Sequence, residues 1–255
     1  MLFRQTHDII KKTGVIKMNN STNFLIAKFG NKEHLEQLQN GNIFFNAIQA
    51  YRNDGTDYRG DSMEGKIPIN PTKIKILDRE GKDIFETVPY PDTVVQSLLG
   101  DENLMMFCAA AITIEILDNV KDNKWHFKNE FKSAIQNFGE HVLLLWSIEI
   151  LEHIESVTDL SGQRIGYDSG PILYRNLNDF DNTEEYRKTG SWLDRYFVKG
   201  LPYKNQNEWR VIIDGEREPL KANCGNGFLL QTFPFKYSML MRTTELLNGE
   251  IEIGN

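Results

Sequence analysis

Asn23-Phe24-Leu25-Ile26-Ala27-Lys28-Phe29-Gly30-Asn31 leads through Lys32 to Asn40 into Gly41-Asn42-Ile43-Phe44-Phe45-Asn46, and the reading of this stretch decides the fold. Phe24 to Phe29 is a short β-forming run that Gly30 and Asn31 end. Lys32 to Asn40 sets Leu35 and Leu38 on one helical face, Gly41 suits the helix stop, and Asn42 to Asn46 reads as the next strand. The folded part therefore opens β-α-β with short elements.

Working outward, the hydrophobic period fails between Tyr51 and Lys66. Arg52, Asp54, Asp57, Arg59, Asp61, Glu64 and Lys66 are interleaved there with Gly55, Gly60 and Gly65, so the segment reads as a loop or a series of turns. Lys73 to Leu77 and Ile84 to Val88 are strand-like around a turn at Asp78 to Asp83, and Thr93 to Leu99 fits two helical turns. Leu104 to Ile116 and His141 to Leu151 read as buried strands, with a helix from Asn129 to Phe138 between them. A helix from about Thr183 to Tyr196 follows, then strands at Glu208 to Ile213, Gly227 to Thr232 and Tyr237 to Arg242. The expected fold class is α+β, with short-stranded mixed or antiparallel sheets and flanking helices. One domain is expected over 23–255, behind a flexible leader, 1–22, in which Met18 offers an alternative start.

The 255 residues are 40% hydrophobic and 25% charged, the make-up of a globular chain. A formal charge of -7 argues against a surface coated with nucleic acid phosphate. That preference is weakened by Arg52 and Arg59, which concentrate cations where a phosphate-bearing ligand could sit. The longest apolar stretches, Leu104 to Ile112 and Val142 to Ile148, fall short of the roughly 20 residues that span a bilayer. A soluble, cytoplasmic protein with no membrane partner is expected. Cys108 and Cys224 are too few for a disulfide framework or a four-cysteine zinc site, and Cys108, within Met105 to Ala109, reads as a buried small hydrophobe. His7, His34, His126, His141 and His153 show no paired spacing and read as surface or boundary residues, so no metal site is assigned. Gly225-Asn226-Gly227 lacks the third glycine of a dinucleotide fingerprint, Leu230 standing in its place, and reads as a hairpin turn.

Two clusters carry chemistry. Tyr51, Arg52, Arg59, Asp61 and Glu64 bring guanidinium, carboxylate and aromatic groups together on glycine-punctuated backbone. Such a loop grips an anionic, aromatic-ended ligand, or else is a solvated turn held by its own Arg-carboxylate pairs. The second cluster is Tyr203 to Ile213, in which Glu208 stands at a strand's first residue with Arg210 on the same face and Trp209 on the other. Glu208 is then either a catalytic carboxylate at a cleft or one half of a cross-strand Glu-Arg pair.

The succession of Phe24 to Phe29, a short helix, Gly41 to Asn46, Arg59-Gly60-Asp61 with Glu64-Gly65, Phe107-Cys108-Ala109 and Glu208-Trp209-Arg210 resembles a widespread group of little-characterised bacterial and phage-linked proteins. The opening strand, helix and strand, with one late glutamate at a strand start, is also similar to the ADP-ribosyltransferase fold, including toxins that modify nucleic acids. That resemblance implies NAD as co-substrate. Breaking its nicotinamide-ribose bond passes through an oxocarbenium-like state that needs a carboxylate, for which Glu208 is the candidate. Gln206, two positions earlier, would place the acceptor. Lys28 and Phe29 on the first strand and Phe44, Phe45 and Asn46 on the second fall at the family's NAD-binding positions, although Lys28 replaces the usual Arg or His. Tyr51, Phe44 or Phe45 would face nicotinamide, Arg52 or Arg59 the pyrophosphate, and the loop through Asp61 and Glu64 would complete the site.

The leading expectation is thus an NAD-dependent mono-ADP-ribosyltransferase, a toxin or anti-phage effector acting on RNA, DNA or protein and held by an antitoxin partner. Two alternatives stand beside it. One is a metal-dependent nuclease in which Asp61, Glu64 and Glu208 bind Mg²⁺ beside Arg210, and the other is a non-catalytic sensor or interaction module.

Overall fold

The computed structural model describes residues 23–56, 59–70, 72, 74–84, 94–97, 100–101, 104–121, 124–157, 164–177, 192–214, 225 and 227–252. The expected leader, residues 85–88 of the strand expected from Ile84 to Val88 and most of the helix from Thr183 lie outside the described residues.

In chain order the elements are β1 Leu25–Gly30, α1 Lys32–Gln39, β2 Asn42–Ala47, α2 Ile48–Asn53, β3 Ile67–Ile69, β4 Val94–Gln96, β5 Leu104–Ile112, β6 Leu117–Lys121, β7 Lys124–Phe127 and α3 Asn129–Ile135. There follow β8 His141–Trp146, α4 Ser147–Glu155, β9 Tyr167–Pro171, β10 Leu173–Arg175, β11 Val198–Gly200, β12 Glu208–Asp214, β13 Gly227–Gln231, β14 Met239–Arg242, α5 Thr243–Asn248 and β15 Ile251–Glu252. The protein is mixed α+β and mostly antiparallel, with β10 and β11 paired in parallel.

The principal sheet runs β13-β2-β5-β1-β8-β14, with β12 also on β5 and β9 beyond β12. Along one edge of β5, β12 pairs continuously from Leu104 to Ala110. The opposite edge is shared by two strands. β2 takes Met105 and Met106, β1 takes Ala110 to Ile112, and Phe107 to Ala109 pair with neither. Beyond Ala27, β1 pairs only with β8, and before Asn46, β2 pairs only with β13. The two strands therefore part from each other as a fork, and α1 bridges its mouth. Asn31 caps α1 by accepting from the His34 N–H at 2.9 Å.

Helices cover both faces, which is why β5 and β8 read as continuous apolar runs. Leu35 and Leu38 of α1 and Ile150 and Ile154 of α4 pack with Phe45, Phe107, Leu143, Leu145 and Trp209 on one face. Phe131 and Ile135 of α3 and Leu246 of α5 pack with Ala27, Ile112, Val142 and Leu144 on the other. Among the described residues no helix is long and apolar enough to cross a membrane.

Several local expectations change. The run from His141 ends at Trp146, because Ser147 exchanges hydrogen bonds with Phe24 and the 3.6-residue spacing of Ile150 and Ile154 takes over. Leu104 to Ile116 splits at Thr113 into β5 and a short 3₁₀ turn. Within Thr93 to Leu99, Val94–Gln96 is a strand, held by pairing with β3 rather than by local helix propensity. Tyr51 and Arg52 belong to α2, not to the loop that follows. The expected turn at Asp78 to Asp83 does form, closed by the Leu77–Asp83 bridge.

His153 is buried rather than a boundary residue. Its ring stacks on Phe235 at 3.9 Å and tilts against Phe233, with Nδ1 2.8 Å from Thr232 Oγ1. Burial depresses its pKa to about 4. Below the unfolded value near 6.5 the unfolded chain takes up a proton that the folded chain refuses, so this site loses stability as pH falls from about 6.5 towards 4. Thermal unfolding should show a steeper fall in Tm from pH 7 to pH 4.5 for the wild type than for His153→Gln. Parallel curves would contradict the assignment.

Candidate active site

The fork opens into a cleft of about 700 Å³ lined by Lys28, Phe29, Phe44, Asn46, Tyr51, Arg59, Cys108, Lys199, Gln206 and Glu208 among others. Where β1 leaves β5, Lys28 Nζ donates to the Cys108 carbonyl at 2.6 Å, satisfying an acceptor in the stretch that no strand covers on this edge. Burial lowers the Lys28 pKa, and Cys108 and Glu208 oppose that shift.

Glu208 is fixed at its backbone first. Asn207 takes a left-handed conformation, φ 46°, which Asn tolerates better than most residues, and its Nδ2 donates to the Ala111 carbonyl and to Thr113 Oγ1 at 2.7 and 2.9 Å. The Glu208 N–H then donates to Tyr174 Oη at 2.8 Å. Its side chain is fixed by two cations. Arg210 Nε donates to Oε1 at 2.6 Å and Lys199 Nζ to Oε2 at 3.0 Å. The rest of the Arg210 guanidinium forms a two-pronged pair with Glu64, at 2.5 and 2.8 Å, and reaches the Tyr196 carbonyl at 2.6 Å.

Glu64, Arg210, Glu208 and Lys199 thus form a buried set of formal charge zero, the Arg210 side chain being 1% exposed. Burial alone would raise the Glu208 pKa, but Arg210 and Lys199 outweigh it and hold the carboxyl well below the usual range. Tyr51, Cys108 and Glu208 line the cleft together. Burial pushes the Cys108 thiol up to about 12, so it stays protonated and is not poised as a nucleophile.

Of the residues expected from the sequence, Lys28, Phe29, Phe44, Asn46, Tyr51, Arg59, Gln206 and Glu208 line the cleft together. Arg52, Asp61 and Glu64 stand behind it. Arg52 makes a two-pronged pair with Asp101 at 2.8 and 2.5 Å and donates Nε to the Glu64 carbonyl. Asp61 Oδ1 closes its own turn on the Met63 N–H, and Glu64 is spent on Arg210. Phe45, the other aromatic candidate, is fully buried in the core. Gly65 follows with φ 66°, and a Cβ there would come within 2.2 Å of the Tyr196 ring, so this turn requires glycine.

The three carboxylates proposed for Mg²⁺ do not converge, since Arg210 lies between Glu64 and Glu208. Among the described residues no group of three or more His, Cys, Asp or Glu is arranged to hold a metal ion. Sequence reasoning missed Lys199, Asp101 and Tyr174. Lys199 lies in the apolar run Tyr196 to Gly200, where an isolated lysine was the one available signal, whereas Asp101 and Tyr174 carry none. Comparison with family models, with curated proteins and with solved structures returns no match.

Removing one member of a buried ion set strands its partners, at a cost of about 3–5 kcal/mol. Arg210→Met should lose stability on that order in urea unfolding, and the Glu64→Gln/Arg210→Met double variant should recover about 1 kcal/mol or more relative to additivity. Strict additivity would show that the two side chains are not coupled.

Proposed function

We propose that the chain is an NAD-dependent mono-ADP-ribosyltransferase that modifies a macromolecule, RNA, DNA or protein, as a toxin or anti-phage effector kept in check by an antitoxin. The observation that carries this reading is Glu208, held ionised by Arg210 and Lys199 at the wall of a cleft whose volume suits a small-molecule ligand.

In the reaction, the bond between C1′ of the ribose and the nicotinamide nitrogen breaks and nicotinamide leaves with the bonding pair. A nucleophile of the acceptor then bonds to C1′ and gives up its proton. Each Glu208 oxygen accepts one of the two cation hydrogen bonds and keeps lone-pair capacity for a ribose hydroxyl. Because the four-group set is neutral as a whole, Glu208 acts on the developing positive charge through its proximity and fixed orientation, not through a net negative field. Lys28 and Arg59 are the cleft cations suited to the pyrophosphate. Gln206, whose Oε1 accepts from Lys199 at 3.3 Å, stands beside Glu208 to place the acceptor.

Purified protein incubated with NAD labelled in its adenylate half and bacterial lysate should pass label to one of the RNA, DNA or protein fractions. Glu208→Ala should reduce transfer by about 10²-fold or more, the size of effect that loss of a transition-state electrostatic contact produces. Absence of transfer by the wild type, or undiminished transfer by Glu208→Ala, would contradict the reading.

A further inference from the structure

The wall of the cleft away from Glu208 is built by the alternation of β2. Ile43, Phe45 and Ala47 enter the core, and Asn42, Phe44 and Asn46 line the cleft. Phe44 is a large aromatic side chain left 42% exposed. Its ring rests against Gly227 of β13, where a Cβ would come within 2.4 Å of the ring. Only glycine leaves room for the ring to lie there.

Beside it, Asn42 Nδ2 donates to Gln37 Oε1 of α1 at 2.8 Å. That bond uses one donor and one acceptor of the two carboxamides. Gln37 Nε2 and Asn42 Oδ1 have no other partner among the described residues, so the pair offers the cleft an adjacent donor and acceptor. Turning both amides over leaves the same complement. At about 3.3 Å per residue, Phe44 lies roughly 7 Å and Asn42 roughly 13 Å along β2 from Asn46, at the fork. A ring bound there sits well away from the group that Glu208 acts on.

We infer that this end of the cleft is a purine subsite, in which an adenine ring lies on Phe44 and presents its N6 amino group and a neighbouring ring nitrogen to the Asn42–Gln37 pair. The inference rests on the NAD reading for the identity of the whole ligand, and it assigns Phe44 to the adenine end instead of to nicotinamide. The flat aromatic face supplies stacking, which any base satisfies, while the donor-acceptor pair reads an edge that nicotinamide mononucleotide cannot bring to this distance from Glu208.

The test is calorimetric titration of the full chain with AMP, ADP-ribose and nicotinamide mononucleotide. AMP and ADP-ribose should bind, Phe44→Ala should weaken AMP tenfold or more, and Phe44→Trp should retain it. Gln37→Ala/Asn42→Ala should weaken AMP and erase its advantage over N6,N6-dimethyl-AMP, which lacks the N6 donors. No AMP binding by the wild type, or equal AMP affinity in Phe44→Ala, overturns the subsite. AMP binding that depends on Phe44 without any ADP-ribose transfer would uphold the subsite and remove the transferase reading, and transfer with Phe44-independent AMP binding would do the reverse.

Discussion

A guanidinium buried on one face of the central sheet is the constraint on which the rest of the site depends. Arg210 stands on β12 between Cys108 and Gly170 of the flanking strands, where water does not reach it. An uncompensated charge there would be prohibitive, so two carboxylates must come to it, Glu64 from the loop after α2 and Glu208 from two residues before it on its own strand. Bringing two anions to one cation leaves a deficit that Lys199 fills from β11. Three separate parts of the chain are thereby locked together, and one product of the arrangement is a carboxylate with a single orientation at the cleft wall.

The cleft itself follows from how β5 is shared. A strand of nine residues is long enough to take β2 on its first half and β1 on its second, and the twist of each partner carries it away from the other. The exposed backbone between them is the price of the fork, met in part by Lys28. Behind the cleft, Arg52 and Asp101 with Tyr196 repeat the same principle in a second buried pair, whose Tyr196 hydroxyl lies 3.3 Å from Asp101. Charged groups that are unusual inside a sheet protein are here concentrated around one cavity, as expected where a site has to be held rigid against water.

Much of this was legible in the sequence. The β-α-β opening follows from apolar spacing and from Gly30 and Gly41, and the strand from Glu208 follows from its alternation of Trp209 and Val211 against Arg210. What the sequence left open was whether the Tyr51 to Gly65 segment and the Glu208-Arg210 pair served a ligand or only each other. The structure divides them: Glu208 pairs with Arg210 and also lines the cleft, whereas Arg52, Asp61 and Glu64 are committed to protein partners. That division was illegible because it depends on Asp101 and Lys199, which reach the site through tertiary pairing. The helix at Ser147 and the strand at Val94 depend likewise on tertiary contacts, since hydrogen bonds to Phe24 end β8 at Trp146 and pairing with β3 holds β4.

The central claim is that Glu208 is held ionised within the buried charge set. Carbon-13 NMR of the Glu208 side-chain carboxyl, assigned by its loss in Glu208→Gln, follows that state directly as pH is lowered while the protein remains folded. Glu208 should show no titration from pH 7 down to pH 4, although an ordinary glutamate is already half protonated near 4.3. A midpoint at or above 4.5 would contradict it.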